Sequence, residues 1–202
     1  VPSEWLRQRK KDHFHRLAKA RGFRSRATFK LLQIVKKYQF LVRGDYVLDL
    51  GAAPGGWLQA AHQVVGGVGF VLGVDKEIIA PLNLRNVSTL IGDITSDKVV
   101  ADIAATGHLP FDVILSDLAP NVTGVWEVDN ARQIELARCA LKVARAVLRP
   151  SGNMLVKVFQ GLDLPDFQSE MKSAFNTMRI VKPPASRAKS AELYLLGLGF
   201  LG

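Results

Sequence analysis

The stretch Tyr46-Val-Leu-Asp-Leu-Gly-Ala-Ala-Pro-Gly-Gly-Trp57 decides how the rest of the chain is read. A short apolar run ends in a turn of glycine, alanine and proline, and an apolar helical pattern follows from Trp57 to Val65. Strand, glycine turn and helix in that order bring a backbone close to a nucleotide-like ligand. The glycines fall at 51, 55 and 56, which is not the G-x-G-x-x-G of dinucleotide enzymes. No Gly-Lys-Ser/Thr follows, so it is not a Walker A loop either. Proline inside the turn stiffens it and leaves less room for a cradle of N–H groups around a pyrophosphate. A zwitterionic methionine moiety and an uncharged ribose demand less anion binding and suit the turn better.

The same alternation repeats outward. Gly69 to Val74 reads as a second strand, Ser88 to Ile91 as a weaker third, 97–105 as a helix and Phe111 to Ser116 as a fourth strand. A long amphipathic helix covers 130–148 and is stopped by Pro150 and Gly152. Asn153 to Lys157 is a fifth strand, 165–175 a helix, and Met178 to Val181 and Glu192 to Leu198 the last two strands. Upstream, 5–21 reads as a basic helix and 27–38 as a second, with Phe29, Leu32, Ile34 and Val35 forming its apolar stripe. The pattern predicts an α/β fold: a mostly parallel seven-stranded sheet with helices on both faces. No long helix separates the final two strands, so the last is expected to run antiparallel.

The 202 residues read as a single domain, with 1–38 as a basic helical extension. With 48% hydrophobic and 22% charged residues the chain can bury a full core, which excludes disorder as its general state. The longest apolar stretch, Val64 to Val74, is too short to span a membrane, and no apolar leader is visible at the polar, basic start. The single cysteine, Cys139, excludes a disulfide framework within the chain, and no metal site is expected. Together these point to a cytoplasmic monomer. The charge is uneven: residues 1–30 hold ten Lys or Arg against two acids, a net +8 of the chain's +9. That is the footprint of phosphate binding, although a solvated terminal helix also accounts for it.

Ligands of such sheets lie at the carboxyl ends of the strands, and acids fall there repeatedly. Asp75 follows the second strand and can accept hydrogen bonds from both hydroxyls of an adenosine ribose. Asp93 follows the third and can accept from an adenine amino group. Asp117 follows the fourth, in Ser116-Asp-Leu-Ala-Pro120. Each can equally be a helix cap or turn residue.

Five segments together resemble the FtsJ/RrmJ family of RNA ribose 2′-O-methyltransferases: Arg24-Ser-Arg-Ala-Thr-Phe-Lys30, Asp49 to Trp57, Ser116-Asp-Leu-Ala-Pro-Asn121, Val156-Lys-Val-Phe159 and Ser186 to Tyr194. The likeness runs from about residue 10 to the end and is nearest to archaeal members, the ribosomal RNA large-subunit type, and to the N-terminal domain of eukaryotic nucleolar relatives. It implies the Rossmann-like fold of S-adenosylmethionine-dependent methyltransferases. It implies a catalytic tetrad of Lys30, Asp117, Lys157 and Glu192. It further implies S-adenosylmethionine contacts at Gly51, Gly55, Trp57, Asp75, Asp93 and Asp117. The implied partner is RNA, ribosomal RNA or a ribosomal subunit ahead of transfer RNA, with a uridine as the target. Thr28 stands where many members have alanine or serine.

In-line methyl transfer to a hydroxyl asks the protein mainly to align the reactants and to help the hydroxyl lose its proton. Lys157 is the candidate proton acceptor. A free lysine titrates near pH ~10.4 and is mostly charged at neutral pH. Lys30 would push Lys157 towards the neutral form, while Asp117 and Glu192 push the other way. Lys157 is thus either a base or a charged donor that steadies developing oxyanion character. Asp117-Leu-Ala-Pro120 lacks the aromatic with which amino-directed methyltransferases stack a flipped base. Residues 121–130 read as a polar loop in which Trp126 stacks a base, closes over the site or packs beneath its own loop. An idle RNA-binding protein and a small-molecule or protein methyltransferase are the rival functions.

Overall fold

The computed structural model describes residues 13–187 and 190–202. Its elements in chain order are α1 (His13–Ala20), α2 (Ala27–Tyr38), β1 (Tyr46–Leu50), α3 (Gly56–Val65), β2 (Phe70–Asp75), β3 (Val87–Ile91) and α4 (Val99–Ala104). There follow β4 (Phe111–Ser116), α5 (Trp126–Val147), β5 (Leu148–Phe159), α6 (Leu164–Ala174), β6 (Phe175–Val181) and β7 (Glu192–Phe200). The seven strands form one sheet in the order β3-β2-β1-β4-β5-β7-β6. Pairings among β1 to β5 are parallel, and β7 runs antiparallel to both β5 and β6. The expected seven-stranded, mostly parallel α/β sheet with its antiparallel last strand is therefore observed.

The apolar strands are explained by burial on two sides. Leu48, Leu50, Leu72, Ile114 and Val156 face α5 and α6 through Ile134, Leu141 and Phe167. Their alternates Val47, Val71, Val113 and Leu155 face α2 and α3 through Leu31, Ile34 and Leu58. Period-two alternation thus feeds two cores from one sheet. No helix among the described residues is long and apolar enough to cross a membrane.

Three boundaries differ from those expected by three residues or more. Helix α5 starts at Trp126 rather than 130, because the Asp129 carboxylate accepts hydrogen bonds from the Thr123 N–H and hydroxyl and from the Gly124 N–H. That clamp shortens the loop after β4 and turns Asn130 into a buried helical residue. Strand β5 begins at Leu148, through Pro150 and Gly152, with a register shift between Phe111 and Val113 of its partner. Proline and glycine end the helix as expected, but the chain turns directly into the sheet through an irregularity. Strand β6 likewise begins at Phe175, immediately after α6. Of the basic helix expected over 5–21, the part at 13–20 is observed and 5–12 lies outside the described residues.

The basic segment is not a uniform charged surface. Arg24 turns inward, and its guanidinium donates to the carbonyls of Pro54 at 3.0 Å, Ala80 at 2.6 Å and Pro81 at 2.6 Å. It ties the N-terminal segment to the glycine turn and to the loop after β2. A Cβ on Gly55 would lie 3.1 Å from Arg24 Nη1, and Gly55 adopts φ +106°. Thr28, the one departure from the family pattern, is fully buried and donates its hydroxyl to the Gly56 carbonyl at 2.9 Å.

Arg24→Ala removes three charge-assisted bonds to neutral carbonyls, a net loss of about 1–2 kcal/mol after discounting for partial exposure. In a domain of this size the expected drop in melting temperature is roughly 3–6 °C. Thermal denaturation at 0.1 and 0.5 M salt checks it: the drop is expected to be the same at both, whereas a phosphate-binding arginine would leave the melting temperature unchanged.

Candidate active site

From β1 the chain winds outward through β2 and β3, then crosses back to β4 and β5 on the other side. The carboxyl ends of β1 and β4 are therefore the point where the winding reverses, and a crevice opens there. The two ends are stitched together by the Asp117 N–H, which donates to the Leu50 carbonyl at 3.3 Å. A cavity of about 720 Å³ occupies the crevice, lined by Gly51, Asp75, Asp93, Asp117 and Leu118 among others. That is the size of a site for a cofactor-sized molecule.

Four of the six expected cofactor contacts line this cavity. Gly51 has φ +78°, and a Cβ there would lie 2.7 Å from Leu118 Cδ2, so only glycine lets the loop after β4 close over the turn. Asp75 accepts from the Ala53 N–H through Oδ2 and from the Glu77 N–H through Oδ1, each at 2.9 Å. A carboxylate has about four acceptor positions, so Asp75 fixes both flanking loops and keeps capacity for a ligand's hydroxyls. Asp93 Oδ1 accepts from the Thr95 N–H at 2.9 Å and its hydroxyl at 2.7 Å. The Thr95 amide, then its hydroxyl, holds the Asp93 carboxyl below the usual aspartate range. Its Oδ2 takes no hydrogen bond among the described residues and is open to a donor such as an adenine amino group.

Gly55 and Trp57 lie outside the cavity lining. Gly55 caps α3 beside Arg24. Trp57 is buried, donates its indole N–H to the Ala27 carbonyl at 2.9 Å, and packs its ring 5.8 Å from that of Tyr194. It braces α2 and the tetrad instead of the cavity.

The four tetrad residues come from four elements, α2, the end of β4, β5 and β7, and they do meet. Lys30 Nζ donates to Glu192 Oε1 at 2.5 Å. Lys157 Nζ donates to the Asp117 carbonyl at 2.6 Å and lies 3.3 Å from its Oδ1. Both lysines are buried, at 9% and 7% exposure. Gln133 on α5 donates from Nε2 to the carbonyls of Lys157 at 2.9 Å and Leu118 at 3.2 Å, holding the ends of β4 and β5 in step.

Two residues to which sequence reasoning gave no role are central. Tyr194 lies opposite Lys157 in the β5–β7 register. Its hydroxyl donates to Asp117 Oδ1 at 2.9 Å and sits 3.3 Å from Glu192 Oε1. It links the two ion pairs, Lys30–Glu192 and Asp117–Lys157, into one network. Burial first, and then the charges of Asp117 and Glu192, push its phenol well above the usual tyrosine range, so it remains a donor. The signal was present as Glu192-Leu-Tyr194, whose i, i+2 spacing in a strand puts both side chains on one face.

Asp49 is the second. It is fully buried in β1, and neither carboxylate oxygen has a hydrogen-bond partner among the described residues. Burial, reinforced by the charges of Asp117 and Asp75, raises its pKa well above the ordinary value. A buried acid without a cation escapes the cost of ionisation by staying protonated.

The model of the FtsJ-like methyltransferase family matches residues 23–200. A curated relative from Methanothrix thermoacetophila, named ribosomal RNA large subunit methyltransferase E, is 49% identical over 187 residues, covering 93% of this chain and 72% of the relative. The protein of that name from Methanocaldococcus jannaschii is 40% identical over 201 residues, covering 98% and 82%. Among solved structures, one from Plasmodium falciparum described as a ribosomal RNA methyltransferase superposes with a TM-score of 0.78 at 28% identity, covering 89% of this chain and all of the other. Aeropyrum pernix fibrillarin, in complex with natively bound S-adenosyl-L-methionine, gives 0.58 at 18% identity over 87% and 75%, a likeness of fold.

Asp49 makes stability pH-dependent with a definite sign. An acid neutral in the fold and ionised in the unfolded chain costs nothing below the ordinary aspartate pKa of about 3.9, and more as pH rises towards the folded value. Asp49→Asn is therefore expected to gain stability relative to the parent between pH 5 and pH 8, measured by urea denaturation at both. An unchanged difference would show that the carboxyl ionises normally in the fold.

Proposed function

The chain belongs to the FtsJ-like methyltransferase family, and from that premise we propose that it methylates the 2′-hydroxyl of a ribose in RNA, with a uridine of large-subunit ribosomal RNA as its target. S-adenosylmethionine is the cofactor, supplying a methyl group made electrophilic by its sulfonium centre. The cavity suits it: Asp75 has acceptor capacity for the ribose hydroxyls, Asp93 Oδ2 for the adenine amino group, and the Gly51 turn lies next to where the methionine end belongs. The names carried by the archaeal relatives support ribosomal RNA, as does the excess of cations in the first 30 residues. The enzyme acts as a monomer in the cytoplasm, on ribosomal RNA or an assembled subunit, with transfer RNA the lesser alternative.

One observation carries the reading. Asp117 both lines the cavity and holds Lys157. A hydroxyl that reaches Lys157 is thereby brought to the cavity's edge, where an in-line approach to a methyl group is achievable. In its neutral form the Lys157 amine has two N–H groups and one lone pair. Asp117 can take both N–H groups, through its carbonyl and Oδ1, which leaves the lone pair for the proton of the 2′-hydroxyl. Tyr194 keeps the Asp117 carboxylate in that orientation by donating to the same Oδ1. Lys30 and Glu192 neutralise each other and stand ready to position the sugar. Lys157 Nζ would take the hydroxyl's proton as the O–C bond forms and the methyl–sulfur bond of the donor breaks.

Lys157→Ala is expected to lower methyl transfer to ribosomal RNA by about 10²–10⁴-fold, while S-adenosylmethionine binding measured by calorimetry stays within a few-fold. Turnover near the parent rate would remove Lys157 from the role of base. The product tests the acceptor atom: a 2′-O-methyl group protects the adjoining phosphodiester from alkali, and a labelled site still cleaved by alkali would place the methyl on a base. Tyr194→Phe removes one hydrogen bond to a charged group, about 1.5–3 kcal/mol, and is expected to slow turnover roughly 10–100-fold with little effect on cofactor binding.

A further inference from the structure

Beyond the tetrad, β5 carries an aromatic platform that the transfer itself does not use. Phe159 is the last residue of β5, two beyond Lys157, and stands directly opposite Glu192 in the pairing with β7. Strand alternation puts Phe159 on the side of the sheet that Lys157 occupies, about 6.6–6.8 Å further along. The ring of Trp126, first residue of α5, stacks on Phe159 with centroids 5.9 Å apart and planes 22° from parallel. Trp126 remains 47% exposed. Phe159 lies against the indole, and nearly half of the residue is open to solvent.

The pair is held stiffly. Asp129 fastens residues 123 and 124 to the first turn of α5, and Asn130 Nδ2 donates to the Gln160 carbonyl at 3.3 Å, joining that turn to the end of β5. A Cβ on Gly161 would fall on the Asn130 side chain, so the two segments are in close contact. The loops leaving β4 and β5 also expose Val122 at 77%, Val125 at 52% and Leu162 at 89%. An indole ordered in advance and half exposed loses little entropy when a flat ligand covers it.

We propose that Trp126, supported by Phe159, stacks the base of the nucleotide whose ribose is methylated. The proposal rests on the RNA reading above and deepens it. With a ribose hydroxyl at Lys157, the base attached to the neighbouring C1′ atom must go somewhere close, and the platform starts one strand step away. The chain's +9 charge favours a polyanion over an apolar peptide as the occupant. Sequence-selective RNA recognition takes unstacked bases onto aromatic faces, and a single stacking face accepts any base.

The test is equilibrium binding of the full chain, with S-adenosylhomocysteine present, to a short oligouridylate and to an abasic ribose-phosphate oligomer of equal length and charge. Indole fluorescence and anisotropy serve as readouts. The parent protein is expected to prefer the base-bearing oligomer about tenfold, the usual worth of a stacked base, with quenching of its fluorescence. Trp126→Ala is expected to abolish the preference and the quench while its affinity for the abasic oligomer stays unchanged. Trp126→Phe, which preserves a stacking face, is expected to retain most of the preference. Equal preference in the parent and Trp126→Ala, or none in the parent, overturns the platform and leaves the methyltransferase reading intact. No binding of either oligomer overturns the RNA reading, and the platform with it.

Discussion

The contacts of Asp117 are the constraint on which the site is built. Its N–H is bonded to the end of β1, its carbonyl and carboxylate meet Lys157 on β5, and its Oδ1 accepts the Tyr194 hydroxyl from β7. One residue thus ties the ends of four strands at the point where the sheet's winding reverses. Few other positions in the fold allow this. β4 must be parallel to β1 and β5 so that all three carboxyl ends coincide, and β7 must run antiparallel so that it enters at that same edge. The antiparallel insertion of β7 between β5 and β6 therefore delivers Glu192 and Tyr194, from its first residues, to an edge that a parallel strand would reach only at its end.

Much of this was legible in the sequence because the physical signals were local. A strand that runs into Gly51-Ala-Ala-Pro-Gly-Gly56 and then into a helix has few structural solutions, and acids after successive apolar runs mark the edge where ligands lie. Boundaries were legible to within a few residues. They slipped where a side chain distant in sequence set the end, as Asp129 does for α5 by clamping Thr123 and Gly124. Which residues turn inward was not legible. Arg24 counts as surface charge in any composition, yet its three acceptors lie 30, 56 and 57 residues away. Trp57 is a cofactor contact that the family resemblance implies, and the partners of its indole, Ala27 and Tyr194, are visible only once α2 and β7 are in place. Asp49 looks like one more strand acid, because its burial becomes visible only when β2 and β4 flank β1 and helices cover both faces of the sheet.

The inward turn of Arg24 and Lys30 also changes what the basic N-terminal segment can be. Lys30 is consumed by Glu192 inside the site, Arg24 by backbone carbonyls, and Arg26 reaches the Ala185 carbonyl from its Nη2. Arg21 lies 5.9 Å over the Phe29 ring. Arg24, Arg26 and Lys30 join the N-terminal segment to the body of the protein, whereas Arg21 stays exposed. Within residues 13–30 the exposed cations are Arg16, Lys19 and Arg21. Lys30 connects the two roles, since the helix that follows this segment also presents it to Glu192. A polyanion bound along the segment would thus lie against the same helix that supplies the tetrad. The buried Thr28 hydroxyl, bonded to the Gly56 carbonyl, couples that helix to the start of α3 beside the glycine turn.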